Sequence, residues 1–302
     1  MTRKSQRRSD PTLADRSVNA ALRLVLALSA RLPYRTRMAV MGFVAARIAT
    51  PLAGWDRRIR SNLALIWPEL PEQDVRRLIR QVPDNFGRAV AEIYAGAPFV
   101  ERVRNAPLEG PGVGALMALH EANAPALLVT GHFGNYDALR AALIARGIRV
   151  GGLYNPMDNA LVNDHYVAAI ERIGKPLFAR GRRGLAEMVQ FLRSGGMVGL
   201  VADQHMKRGT ALDFLGQPAL TALSAAEMAL KYEAALIPVY AVRQADRISF
   251  RLFVEAPIPA SDAVTMTQAL NDSLAARVRA NPEQWLWIHR RWKGTADLRS
   301  PT

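Results

Sequence analysis

Between Ala126 and Ala202 short apolar runs alternate with amphipathic stretches, and this alternation limits the fold more than any other feature of the chain. Ala126 to Thr130 is an apolar run of strand length. A helical pattern from Tyr136 to Arg146 follows, with Asn135 as its expected N-cap and Gly147 as its stop. Ile148 to Tyr154 is the next apolar run. Strand, helix and strand joined by so little chain imply parallel neighbours and a right-handed crossover. The pattern continues with a helix over Leu161 to Ile173, a strand over Pro176 to Ala179, a helix over Gly184 to Arg193 and a buried strand over Met197 to Ala202. Two further runs, Ala235 to Arg243 and Ile248 to Glu255, read as a hairpin turned at Gln244-Ala245-Asp246. The expected fold is therefore α/β, a largely parallel but mixed sheet flanked by helices. Residues 205–220 read as a long loop, Ser224 with Glu227 as a capping box, and Val264 to Ala280 as a final helix.

Upstream of this unit the chain reads as helical. Asp56 to Ile66, Asp74 to Val82 and Asn85 to Ala95 are expected as separate helices, and Val113 to Glu121 as another. Residues 1–60 hold 13 Lys and Arg against 3 acids, so ten of the formal +14 charges lie in the first fifth of the chain. A basic end suits an anionic surface, either nucleic acid or phospholipid. Apolar runs between the charges favour the membrane. Val18 to Leu32, interrupted by Arg23 and Arg31, falls short of the roughly 20 apolar residues that span a bilayer. Pro33 stops it, and a second run from Met38 to Ala53 is interrupted by Arg47. These read as two amphipathic helices lying at a membrane interface. The alternative is a helical hairpin packed on the protein's own core. The expected organisation is a membrane-associating helical extension over residues 1–54, whose first eleven residues are polar and basic, and an α/β domain over 55–302. There is no cysteine, which excludes disulfides and thiolate metal sites.

The chemistry concentrates in Thr130-Gly-His-Phe-Gly-Asn-Tyr-Asp137, directly after the first parallel strand. Ligands of parallel α/β sheets bind beyond the carboxyl ends of strands, which is where this stretch falls. His132 precedes the helix, and the turn at Gly134 lets the chain fold back so that Asp137 can face the imidazole. A carboxylate on one ring nitrogen fixes the tautomer and leaves the other nitrogen as a general base. Exposed amides of the turn, at Gly134 and Asn135, would favour an oxyanion or a substrate oxygen. On its own the His-x₄-Asp spacing is equally that of a turn histidine followed by a dipole-favouring aspartate.

Gly131-His-Phe-Gly-Asn-Tyr-Asp137 resembles the His-x₄-Asp/Glu motif of the lipid A late acyltransferase family, which adds fatty acyl chains to lipid A precursors. Asp203-Gln204 followed by Phe214-Leu-Gly216 looks like that family's Asp-Gln loop and Phe-x-Gly element. Gln284-Trp-Leu-Trp-Ile-His-Arg-Arg-Trp-Lys293 looks like its C-terminal signature. The resemblance runs in the family's order over roughly residues 20–295. It implies a glycerolipid acyltransferase-like fold on the cytoplasmic face of the inner membrane. The donor would be an acyl thioester, acyl carrier protein or coenzyme A, and the acceptor a membrane lipid hydroxyl, with His132 as base and Asp137 as its orienting partner. No cofactor, metal or nucleic acid is implied. The family usually carries Glu at the position of Asp137, which leaves other lipid acceptors open.

Further candidates are Arg172, where the family places a basic residue near the site, and Asp203, which could hold either Arg172 or His132, beside Gln204. Basic side chains at Arg180, Arg182, Arg183, Lys207 and Arg208 would suit phosphates or an acidic carrier protein, or are surface charge. Trp285, Trp287 and Trp292 with Arg290, Arg291 and Lys293 suit a membrane interface or single-stranded nucleic acid, or else pack on the domain. His165, His205 and His289 show no ligand spacing with carboxylates.

Overall fold

The computed structural model describes residues 11–295; the basic stretch over 1–10 and residues 296–302 lie outside the described residues. In chain order the elements are α1 (Leu13–Ala30), α2 (Tyr34–Val44), α3 (Thr50–Ala53), α4 (Trp55–Ile66), α5 (Glu72–Ala95), α6 (Ala97–Arg104), β1 (Leu108–Glu109), α7 (Val113–Glu121) and β2 (Ala126–Thr130). There follow α8 (Ala138–Ala145), β3 (Val150–Tyr154), α9 (Ala160–Ile173), β4 (Leu177–Ala179), α10 (Arg182–Arg193) and β5 (Met197–Val201). The chain closes with β6 (Thr210–Phe214), β7 (Gln217–Thr221), α11 (Ser224–Lys231), β8 (Ala235–Arg243), β9 (Phe250–Val254) and α12 (Ala263–Ala280). A π-helical stretch, Ala45–Ala49, joins α2 to α3.

Seven strands form one sheet in the order β1-β9-β8-β2-β5-β3-β4. The pairs β8-β2, β2-β5, β5-β3 and β3-β4 are parallel, and only β8-β9 is antiparallel, so the sheet is mixed as the sequence implies. Alternation decides what covers each face. Leu127, Val129, Val198, Leu200 and Leu236 meet α10, α11 and α12. Ala126, Leu128, Val150, Met197 and Ile237 face the layer of α6, α8 and α9.

Four local readings change. The helix α1 begins before Val18 because Thr12 and Asp15 close a capping box, with Thr12 N–H on Asp15 Oδ2 at 2.9 Å and Asp15 N–H on Thr12 Oγ1 at 3.1 Å. The helix α5 runs unbroken through Pro83, whose missing N–H removes one helical bond. Packing holds this helix together: a Cβ on Gly87 would lie 2.4 Å from the Met41 carbonyl oxygen, so α2 and α5 are in backbone contact there. Residues 205–220 are not a loop throughout but carry the hairpin β6-β7, turned at Leu215 (φ 60°) and Gly216 (φ 85°). Left-handed φ at both positions is what a two-residue I′ turn requires, and a leucine at the first hides the usual Asn-Gly signal. Ser224 and Glu227 form no capping box, because Ser224 already lies inside α11 and no side chain caps the helix.

The helices α1 to α3 lie on the body of the protein. Leu26, Met38 and Met41 pack with Ala91 of α5 and with Ile248. Asp15 accepts a hydrogen bond from Asn159, and Asn19 is bonded to His165. Their other side is unpartnered. Of thirteen large apolar side chains exposed among the described residues, nine lie between Leu13 and Leu52, including Leu24, Phe43 and Leu52 at 60, 59 and 83% exposure. No single described helix is long and apolar enough to cross a membrane alone; α2 to α3 with α4, bent by 87°, reach that length only as a pair.

Candidate active site

The site forms where the adjacent parallel strands β2 and β5 end. Their register pairs Thr130 with Val201. Two residues further on, each chain presents its polar group, His132 from one and Asp203 from the other. His132 Nδ1 and Asp203 Oδ1 are 2.7 Å apart, and the His132 backbone N–H donates to Asp203 Oδ2 at 2.7 Å. Trp285 Nε1–H donates to the same Oδ2 at 2.9 Å. The Asp203 side chain is fully buried, whereas His132 keeps 20% of its side chain exposed. Burial presses the Asp203 carboxyl upward, but the charge of His132, its hydrogen bonds and the nearby His289 outweigh this and hold the group below its ordinary value. Asp203 is a carboxylate at neutral pH, and His132 Nε2 is the nitrogen left for chemistry.

The carboxylate on His132 is therefore not that of Asp137. Asp137 precedes α8, and Arg140, one turn on, takes it in a buried bidentate pair with contacts of 2.5 and 3.0 Å. Arg140 also donates to the carbonyls of Gly174 and Ile170, which ties this pair to the end of α9. A helix-borne arginine three residues away captures the aspartate more readily than a histidine across a turn.

Gly134 and Asn135 build the turn rather than face a substrate. Gly134 has φ 56°, and a Cβ there would sit 1.8 Å from the Ala241 carbonyl oxygen, so only glycine fits. Its N–H is spent on the Gln284 carbonyl at 2.9 Å. Asn135 is buried; its Oδ1 accepts the Asp137 N–H and its Nδ2 donates to Glu92 Oε2 at 2.8 Å. Asn135 is not the helix cap, which falls at Asp137 without a side-chain bond. Glu92 in turn holds Arg243 through both oxygens, and Arg243 donates to Asn85, so α5 and β8 are wired to the turn through buried, mutually satisfied polar groups.

Arg172 is exposed on α9 and lies over Gly96, with its Nε 3.5 Å from where a Cβ would be. It does not line the cavity in front of His132, and it does not meet Asp203. Gln204 does line the cavity.

His289, set aside on spacing, lies beside His132 with ring centroids 4.5 Å apart and planes at 68°. An antiparallel bridge between Phe133 and Trp285, with the Leu286 N–H on the His132 carbonyl at 3.0 Å, lays the C-terminal segment against the turn. Asn62 of α4 holds that segment through the Trp287 and His289 carbonyls. Burial and the neighbouring His132 push His289 down to about 4, so it is neutral at pH 7. Its Nε2 is buried and has no hydrogen-bond partner among the described residues. No signal within one segment announces this contact, because the two histidines are brought together only by the bridge. His132, Asp203 and His289 offer atoms within 4.8 Å of one another, a grouping that could hold a cation. Three N–H donors already occupy the Asp203 oxygens, so the donor set suits a hydrogen-bonded dyad better.

The tail tryptophans form no exposed surface. Trp285, Trp287 and Trp292 are 0, 0 and 5% exposed and pack on one another and on Phe214 and Trp67. Arg291 is buried with them, and its guanidinium donates to the Leu220 carbonyl and to Thr221.

In front of the dyad opens a cavity of about 760 Å³ over the α8–α9 face of the sheet. Leu128, Val150, Leu177, Val201 and Val239 give it an apolar floor; Tyr136, Tyr166 and Ile170 form part of its walls, and Leu22 of α1 closes one side. His132, Gln204 and His289 stand in its lining. A largely apolar chamber with the dyad at one end, and the mutually paired Asp137 and Arg140 in its wall, suits a ligand with a long apolar tail and one reacting polar centre.

A largely parallel sheet with a histidine–carboxylate dyad at its strand ends and an apolar chamber before it fits an enzyme whose ligand carries a long apolar tail. The chain matches the model of the bacterial lipid A biosynthesis acyltransferase family over residues 12–294, and it belongs to that family. It is similar to a phosphatidylinositol mannoside acyltransferase of Mycobacterium tuberculosis, 24% identical over 81% of this chain and 79% of the relative. It is also similar to a lipid A biosynthesis acyltransferase of Haemophilus influenzae, 24% identical over 87% of this chain and 83% of the relative. A lipid A biosynthesis lauroyltransferase of Escherichia coli is 25% identical over 78% of both chains.

Proposed function

We propose that this acyltransferase moves a fatty acyl chain from an acyl thioester, carried by acyl carrier protein or coenzyme A, to a hydroxyl of a lipid A precursor at the cytoplasmic face of the inner membrane. The observation that carries the reading is the His132–Asp203 dyad opening into the apolar cavity. Asp203 holds His132 in the tautomer with the proton on Nδ1, so Nε2 accepts the proton of the acceptor hydroxyl as its oxygen attacks the thioester carbonyl. The tetrahedral intermediate then expels the thiolate, which takes the proton back from the imidazolium. Asp203 offsets the imidazolium charge meanwhile, and the neutral ring of His289 packs against His132 and restrains its rotation. No covalent acyl-enzyme and no cofactor is needed. The basic, apolar outer side of α1 to α3 would rest on the anionic membrane surface, where the acceptor is found. A second reading, another glycolipid or lysophospholipid as acceptor, is favoured by the similarity to phosphatidylinositol mannoside acyltransferases. A membrane- or nucleic-acid-binding protein without activity would leave the dyad and its cavity unused.

Lipid mass spectrometry of cells carrying the wild-type protein or His132→Ala tests the reading. The acylated lipid should vanish in the variant while the protein remains folded and membrane-bound, and the mass lost names acceptor and chain. Unchanged lipids would refute the role of His132.

A further inference from the structure

Two glycines lie side by side at the floor of the cavity. The strand register sets Leu128 of β2, Gly199 of β5, Gly152 of β3 and Leu177 of β4 in one row across the sheet, and all four line the cavity. Glycine in the interior of a strand weakens it and marks a bulge, a close backbone approach or a close ligand. The pairing is regular through Gly199 and Gly152, so neither sits at a bulge. Close packing explains Gly151, where a Cβ would meet the Phe178 ring at 2.7 Å on the opposite face. It does not explain Gly199. A Cβ there would meet only the Gly151 carbonyl oxygen, at an ordinary 3.6 Å, and Gly199 stays partly exposed between the buried Val198 and Leu200. Gly152 is closed over, with Leu177 Cδ2 at 3.2 Å and Arg140 Cδ and Nε at 3.6 and 3.7 Å from a built Cβ. Among the described residues nothing fills the space above Gly199, and its backbone would take a side chain without strain.

The row lies four residues before Asp203 along the strand direction, roughly 13 Å from the level of the dyad at about 3.3 Å per residue. A chain with its carbonyl at His132 and its tail running along the sheet reaches the glycines with its far end. We propose that Gly199 sets the longest acyl chain the cavity accepts. The missing side chain at Gly199 leaves space beside Leu128 for the terminal methylenes, and Arg140 and Leu177, which cover Gly152, bound it on the other side. The proposal rests on the reading that the cavity holds the acyl chain.

The test compares full-length wild type, Gly199→Ala and Gly199→Leu, with thermal melts to confirm folding. Displacement of a fluorescent fatty acid by saturated fatty acids of increasing length is measured first, because it needs neither acceptor nor turnover. Thioester consumption over matching ladders of acyl-coenzyme A and acyl carrier protein donors, with a lipid A precursor as acceptor, follows. Gly199→Leu should lose tenfold or more in affinity and in kcat/KM for the longest ligands that wild type accepts, with the shortest unchanged. Gly199→Ala should be intermediate. An unchanged length profile, an equal loss at every length, or a wild type that binds no fatty acid would each overturn the proposal. If fatty acids bind with a shifted cut-off while wild type consumes no thioester, the length assignment stands and the proposed reaction falls instead.

Discussion

The change Asp203→Asn separates the two carboxylates that compete for His132. Asp203 receives three N–H donors on two oxygens: the His132 amide and the Trp285 indole on Oδ2, and His132 Nδ1 on Oδ1. An asparagine has one acceptor oxygen. Placed at the Oδ2 position it keeps two of the donors, and its NH₂ then points at Nδ1. His132 can accept that bond only with its proton on Nε2, the nitrogen that faces the cavity. The variant keeps its packing but holds the base in the wrong tautomer. A comparable Asp→Asn change behind a catalytic histidine lowers kcat by about 10⁴, and a loss of roughly 10³–10⁴ is expected here. KM should move little, because Asp203 is buried behind the imidazole. Asp137→Asn does the opposite. It leaves Arg140, 7% exposed, without its partner, and breaking a buried pair in this way costs about 3–5 kcal/mol. The melting temperature should fall while kcat of the folded fraction is far less affected. Thioester turnover and thermal melts on both variants decide the matter. An inactive but stable Asp137→Asn beside an active Asp203→Asn would refute the assignment.

Acid stability should carry the mark of His289. Its folded value of about 4 lies below the unfolded 6.5, so the unfolded chain binds the proton first and stability falls as pH drops from about 6.5 to about 4. The depressed Asp203 adds its own loss only below its unfolded 3.8. His289→Gln should flatten the pH dependence of the melting temperature in the upper window, and an unchanged slope there would count against a neutral buried ring. Replacing Leu24, Phe43 and Leu52 together with glutamate should release the protein from anionic vesicles without lowering its melting temperature, since all three are exposed. Undiminished binding in a flotation assay would remove the membrane role from that surface.

Local pattern in the sequence determined much of this protein. Strand and helix periods placed nearly every element from β2 to β5, because an apolar run of strand length followed by an amphipathic one has few alternatives. The position of His132 past a parallel strand was legible for the same reason. What the sequence could not decide was which group that histidine meets. Proximity along the chain suggested Asp137, five residues away, but Arg140 on the same helix holds it. Asp203 is 71 residues away and arrives because β5 inserts between β2 and β3 in a register that pairs Thr130 with Val201. His289 and Trp285 come through a bridge to Phe133, and the tail tryptophans that suited an interface fill a core instead. Periodicity records which way each side chain points relative to its own strand or helix. Strand order and register across the sheet exist only in the assembled fold, and in this protein they select the carboxylate behind the base and line up the two glycines on the cavity floor.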